Sequence, residues 1–150
     1  MTVRTVAFCL GASFALSAPA VAQPPATATC DVVEVAATTA QPPSTAPSLQ
    51  PLEKRLKRAA GGANTFKELS RQSVPLTANK PKTSTLKSGS TELMLRSRKP
   101  SHVELTVSID DASGKRLVNN SQVGVDGGDW LMFAHDTGNN AAHLVALTCK

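Results

Sequence analysis

The chain has 150 residues, 41% hydrophobic but only 3% aromatic, with one tryptophan, no tyrosine and a formal net charge of +5. That length gives room for one domain, and the scarcity of aromatic side chains argues against a surface built to stack nucleic-acid bases. The charge is uneven: residues 51–100 hold twelve Lys/Arg against three acids, and residues 101–150 hold three against six. A basic half therefore faces a mildly acidic one, a pattern that suits an anionic partner or simply a solvated surface.

The first 22 residues read as an export signal. Arg4 supplies the positive end, Val6 to Leu16 is a short apolar run, and Ala20-Val21-Ala22 has the small residues that a signal peptidase requires. The run is too short to span a bilayer. Cys9 follows bulky Phe8, which rules against a lipoprotein signal. The expected mature chain starts at Gln23 and is periplasmic or secreted, with no transmembrane segment.

In an oxidising compartment the two remaining cysteines, Cys30 and Cys149, are expected to form a disulfide. They could lie on neighbouring strands or on facing sheets, since both satisfy the covalent geometry. On neighbouring antiparallel strands, Val32 would face Leu147 and Glu34 would face Val145. No metal or other cofactor is expected, because His102, His135 and His143 have no ligand spacing with either cysteine.

Residues 23–29 are expected to be flexible, and Cys30 to Ala36 reads as a β-branched strand. Prolines 42, 43 and 47 mark 37–48 as an extended linker. An amphipathic helix over 49–60 follows, with Ser48 as its cap, Pro51 in its first turn and Gly61-Gly62 at its end. Leu49, Leu52 and Leu56 line one side, and Lys54, Arg55, Lys57 and Arg58 fill the others. These four cations are the candidate site for an anionic partner. Their helix lacks the bulky aromatic anchors of a membrane-surface helix.

Phe66 to Leu69 is ambiguous between strand and helical turn, and Val74-Pro-Leu76 reads as an edge or loop. Thr83–Leu86 and Thr91–Arg96 flank a hairpin with Gly89 at its turn. His102 to Asp110 gives the cleanest alternation, with Val103, Leu105, Val107 and Ile109 on one face and Glu104, Thr106, Ser108 and Asp110 on the other. Asp111-Ala-Ser-Gly114 then reverses the chain. Lys115–Val118 and Gln122–Val125 read as short strands interrupted by Asn119-Asn-Ser121. Trp130–Ala134 is apolar on both faces, as a central strand would be, His135 to Asn140 reads as a loop, and His143 to Cys149 closes the domain. Seven or eight short strands with one early helix predict a mainly β fold, a small antiparallel β-sandwich over 30–150.

Chemistry is thinly signalled. Asp136-Thr-Gly138 matches the triplet of aspartic proteases, but His135 precedes it, Asn139 follows, and the turn reading explains it. Asp126-Gly-Gly-Asp129 offers two carboxylates without the remaining ligands of a calcium loop. No Gly-x-Ser-x-Gly element presents a nucleophile. Lys80-Pro-Lys82 and Arg96-Ser-Arg-Lys99 lack interleaved aromatics, so nucleic acid is disfavoured.

The run Pro47 to Leu56, then Thr65-Phe-Lys-Glu-Leu69, then Leu86, Gly89 and Leu93 ahead of alternating strands, resembles a family of small exported bacterial β-rich proteins of uncharacterised function. The likeness spans most of residues 30–149 and rests on aliphatic patterns. It implies a β-rich exported domain and carries over no catalytic residue. The expected function is a non-catalytic binding or assembly module whose partner is an envelope or extracellular protein or an anionic polymer. The alternative is a small all-β hydrolase or aspartic-protease-like enzyme using Asp136; a third reading is a structural protein of a surface assembly.

Overall fold

The computed structural model describes residue 23 and residues 25–150, so the expected signal peptide lies outside the described residues. Eight strands and one short helix follow in the order β1 (Thr27–Thr38), α1 (Glu53–Ala59), β2 (Thr65–Thr77), β3 (Pro81–Leu86), β4 (Gly89–Lys99), β5 (His102–Asp111), β6 (Arg116–Asp126), β7 (Leu131–Gly138) and β8 (Ala141–Cys149). A first antiparallel sheet has the order β2-β1-β8-β7 and a second the order β3-β4-β5-β6. The small antiparallel β-sandwich is therefore present, with the single helix early in the chain.

Alternation explains how the sheets meet. Ala28, Cys30 and Val32 of β1 and Val145, Leu147 and Cys149 of β8 face Leu93 and Leu95 of β4 and Val103 to Ile109 of β5 in one aliphatic layer. The opposite face of the first sheet is apolar too. Val33, Val35 and Ala37 of β1 and Leu144 and Ala146 of β8 are covered by Leu49, Leu52 and Leu56. Burying each of these leucines is worth about 1.5–3 kcal/mol. The two central strands are thus apolar on both faces, and the helical segment makes a third layer.

The cysteines are register partners, with Cα atoms 4.0 Å apart and 119 residues between them in sequence. Their neighbours Thr29 and Lys150 exchange both backbone hydrogen bonds at 2.9 Å. The next pair along must then be a non-bonded one, where facing side chains come closest. Val32 faces Leu147 and Glu34 faces Val145. Neighbouring strands, not facing sheets, carry the bridge.

Several boundaries differ from the sequence expectation. β1 starts at Thr27 and runs to Thr38, so it takes residues from both the flexible segment 23–29 and the linker 37–48. The helix of 49–60 divides into a 3-10 segment over Pro47–Leu52 and α1. Ser48 does not cap it; its hydroxyl donates instead to Glu68 Oε2 at 2.7 Å. The ambiguous Phe66–Leu69 lies in β2, where Leu69 is an extra residue between Glu68, paired with Val35, and Ser70, paired with Glu34. That bulge switches the phase, so Phe66 packs under the helix while Val74 and Leu76 pack between the sheets.

Asn119-Asn-Ser121 does not interrupt β6. The strand absorbs it as a bulge, with Asn120 at φ 45° and its N–H donated to Ser108 Oγ at 3.0 Å. Trp130–Ala134 is not central. β7 is the outermost strand of its sheet, apolar on both faces because the helix covers Met132 and Trp130 while Leu131 and Phe133 lean on the inter-sheet core. It continues through the expected loop to Gly138, leaving Asn139 and Asn140 at positive φ as the turn. Gly89 opens β4 behind the two-residue turn Lys87-Ser88; a Cβ there would lie 2.0 Å from the carbonyl oxygen of Asp110.

Candidate functional site

The four helix cations do not form one free cluster. Arg55 pairs with Asp129 and donates from Nη1 to the Trp130 carbonyl at 3.0 Å, pinning α1 to the start of β7. Lys57 Nζ lies 2.6 Å from Glu53 Oε1, one helical turn back. Lys54 and Arg58 are exposed and make no ion pair among the described residues. Of the expected set only Arg55 ties the helix to another element; Lys57 pairs within the helix, and all four side chains are exposed.

Asp136 is exposed, and its Oδ1 accepts the Gly138 N–H at 2.7 Å. This side chain shapes its own turn, as the turn-forming reading of Asp-Thr-Gly requires. The Asp126–Asp129 turn directs its carboxylates to other elements instead: Asp126 Oδ1 lies 2.7 Å from His102 Nδ1, and Asp129 pairs with Arg55. No cluster of three or more metal-ligating side chains occurs among the described residues.

The most concentrated polar chemistry belongs to Glu34, which is completely buried. Its even position in β1 aims it between the sheets, toward the β3–β4 turn. Oε2 accepts from Ser70 Oγ at 2.7 Å and the Lys87 N–H at 2.6 Å. Oε1 accepts the Ser88 N–H at 2.8 Å and lies 2.9 Å from His143 Nε2. Burial pushes this carboxyl up, but the hydrogen bonds from Ser70, His143 and the amides of Lys87 and Ser88 outweigh it and hold it below the usual carboxylate range. A charged latch thus ties the first sheet to a turn of the second. The strand pairing expected from the cysteines puts Glu34 opposite Val145 without assigning it a role; its one signal in the sequence is a lone carboxylate in the run Val32-Val-Glu-Val35.

Beside the latch, one end of the sandwich opens into a cleft of about 540 Å³ lined by Ala36, Leu69, Ser88, Asp111, His135 and His143, among others. Asp111 is occupied: its Oδ1 accepts from Ser113 Oγ at 2.6 Å, Ser113 N at 2.8 Å and Lys115 N at 3.0 Å. The Ser113 hydroxyl, with the Lys115 amide, holds its carboxyl below the usual range. A second concavity of about 660 Å³ lies on the uncovered outer face of the second sheet, lined by Arg96, His102, Glu104, Gln122 and Gly124. At its floor the His102 ring lies over Gly124, an approach only glycine permits, since a Cβ there would come within 2.6 Å of the ring.

The long edges of the sandwich are unlike. On the β2/β3 side Gln72 Nε2 donates to the Thr85 carbonyl, and Ser84 Oγ donates to Gln72 Oε1 at 2.5 Å. On the β6/β7 side no hydrogen bond joins the two strands among the described residues. Val118, Val123, Leu131 and Phe133 remain only partly buried along this opening.

No helix among the described residues is long and apolar enough to cross a membrane. No family model matches the chain, and no curated protein matches its sequence. Among solved structures, the T2SS secretin XcpQ from Pseudomonas aeruginosa, determined by cryo-EM, is similar with a TM-score of 0.42 at 10% identity, over 87% of this chain and 60% of that one. The chain thus spans about 60% of that solved chain's length, and likeness of this degree says nothing of partner or activity.

Proposed function

We propose that the chain is an exported, non-catalytic binding or assembly module acting on an envelope or extracellular partner. The observation that carries this reading is the state of Glu34. Both of its oxygens are already used by two amides, a hydroxyl and an imidazole. A general base needs an accessible lone pair near the proton it takes, and Glu34 offers none. Asp136 spends one of its two oxygens on its own turn. The Cys30–Cys149 bridge supports export, because such bridges persist in oxidising compartments.

An anionic partner is served by Lys54 and Arg58, which make no ion pair among the described residues. Replacing both by Glu leaves Arg55–Asp129 and Lys57–Glu53 intact and reverses the exposed charge. The test is co-purification of the tagged chain from its native envelope, before and after this double change. Retention of a stoichiometric partner that the change releases supports the reading. A hydrolytic activity that disappears in Asp136→Ala would overturn it in favour of the enzyme alternative.

A further inference from the structure

We infer that the outer edge of β7 takes up an extended segment of a protein partner, apolar at alternate positions and acidic between them. This inference rests on the binding-module reading and names its docking surface. The backbone ladder identifies the free groups. Thr29 and Lys150 exchange both hydrogen bonds, and the exchange recurs at every second residue of an antiparallel pair. On β8, therefore, Thr148, Ala146, Leu144 and Ala142 turn their peptide groups to β1, whereas Leu147, Val145 and His143 turn theirs to β7. Leu131, Phe133 and His135, their register partners, are bonded inward. Met132 and Ala134 must then direct N–H and C=O away from the sheet. Trp130, in phase with them, fits this assignment, because its carbonyl accepts from Arg55.

The other three edges are blunted. The start of β2 is occupied by residues 44–46, through Phe66 N to the Ser44 carbonyl and Ala46 N to the Phe66 carbonyl, both 2.9 Å, and Pro75 lies farther along. β3 is six residues long and begins with Pro81. β6 carries two register irregularities and Asn120 in the left-handed region. Proline, short length and bulges are the devices that prevent edge pairing. From Leu131 to Asp136, β7 has none of them and pairs with β8 in unbroken register.

The side chains define what fits. A strand added beside β7 would place alternate residues in the opening, against half-buried Leu131, Phe133, Val118 and Val123. Its other residues would rise beside α1. Arg55 already reaches β7 from that helix, and Arg58, three residues on, shares its flank. Arg55 is neutralised by Asp129, while Lys54 and Arg58, which make no ion pair among the described residues, outnumber the exposed Asp136 on that side and complement acidic residues. Strand addition draws affinity from main-chain bonds and specificity from alternate side chains, which matches this division.

The test uses a terminally blocked peptide of alternating Val and Glu as probe, with a Val/Lys peptide and an N-methylated Val/Glu peptide as controls. Binding of the Val/Glu peptide, with slowed exchange of the Met132 and Ala134 amides, is the expected result. N-methylation should abolish it. Ala134→Pro removes an outward N–H at an edge position that tolerates proline, and it should weaken binding about tenfold, the equivalent of one or two net hydrogen bonds. Lys54→Glu with Arg58→Glu should shift preference to the Val/Lys peptide. Protection confined to the end cleft or the outer face of the second sheet, or insensitivity to N-methylation, overturns the proposal, and neither outcome depends on a variant that folds. So does concentration-dependent dimerisation abolished by Ala134→Pro, which assigns the edge to a second copy. A native partner whose footprint avoids β7 overturns this inference while the binding-module reading stands; activity lost in Asp136→Ala removes that reading itself.

Discussion

The two long edges of this sandwich show how the same kind of strand pair can be closed or left open. Along β2 and β3, Gln72, Ser84 and the Thr85 carbonyl bridge the sheets with hydrogen bonds. The Ala78 and Asn79 amides, in the connection, donate to the Ala26 and Leu95 carbonyls, both at 2.8 Å. Along β6 and β7, aliphatic side chains approach without completing a layer. Closure therefore depends on polar side chains at the edge that can reach across, and openness on apolar ones that cannot fill the gap alone. Stability should be concentrated on the closed side and in the middle of the first sheet, leaving the open side tolerant of change.

The largest loss should come from the staple at the strand ends. Replacing Cys30 and Cys149 by Ser should cost up to about 5 kcal/mol in denaturant unfolding, given the long loop that the bridge closes. Glu34→Ala comes next, at about 3–5 kcal/mol, because His143, Ser70 and two amides lose a buried acceptor. Its pH dependence sharpens the point. With the folded pKa below the unfolded 4.5, the stabilisation is present above that value and is lost as pH falls through the folded pKa. Glu34→Gln should flatten that part of the stability profile relative to the unaltered chain, with the other carboxylates as a common background. Equal acid sensitivity in both would show that the latch is not charged.

On the closed edge, Gln72→Ala strands the nearly buried Ser84 hydroxyl and should cost about 1–3 kcal/mol. On the open edge, Val123→Thr should cost less than about 1 kcal/mol, since its hydroxyl can still meet water. A larger loss at Val123 than at Gln72, measured by thermal or denaturant unfolding, would break the comparison between the edges.

Much of the architecture was legible because alternation is a local property. Val103, Leu105, Val107 and Ile109 share the buried face that their spacing implied, and Val32 and Glu34 meet Leu147 and Val145 across the strand pair that the cysteines suggested. Several of the misread boundaries share one cause. Leu69, Arg96, Leu117 and the Asn119–Asn120 pair lie where the register shifts, and each shift changes which residues face inward, so a period of two fails across it. Trp130–Ala134 misled for another reason: a strand apolar on both faces can lie at an edge if a helix covers one of them. At the candidate site, the four cations were visible as a patch, and the Lys57–Glu53 pair is local, but the tie of Arg55 to β7 depends on Asp129, which is 74 residues beyond it in the chain.

What the sequence by itself determined is the period, the polarity and the punctuation: strands that bury one face, a helix with one aliphatic side, turns just before Gly89 and after Asp111, and two cysteines in phase with apolar neighbours. These follow from side-chain chemistry over a few residues. Only the tertiary structure decided that Glu34 latches a distant turn, that β1 and β8 are central, and that β7 lies at an edge of its sheet. Each of those depends on which strands become neighbours, and neighbours are chosen by the burial of the whole chain at once.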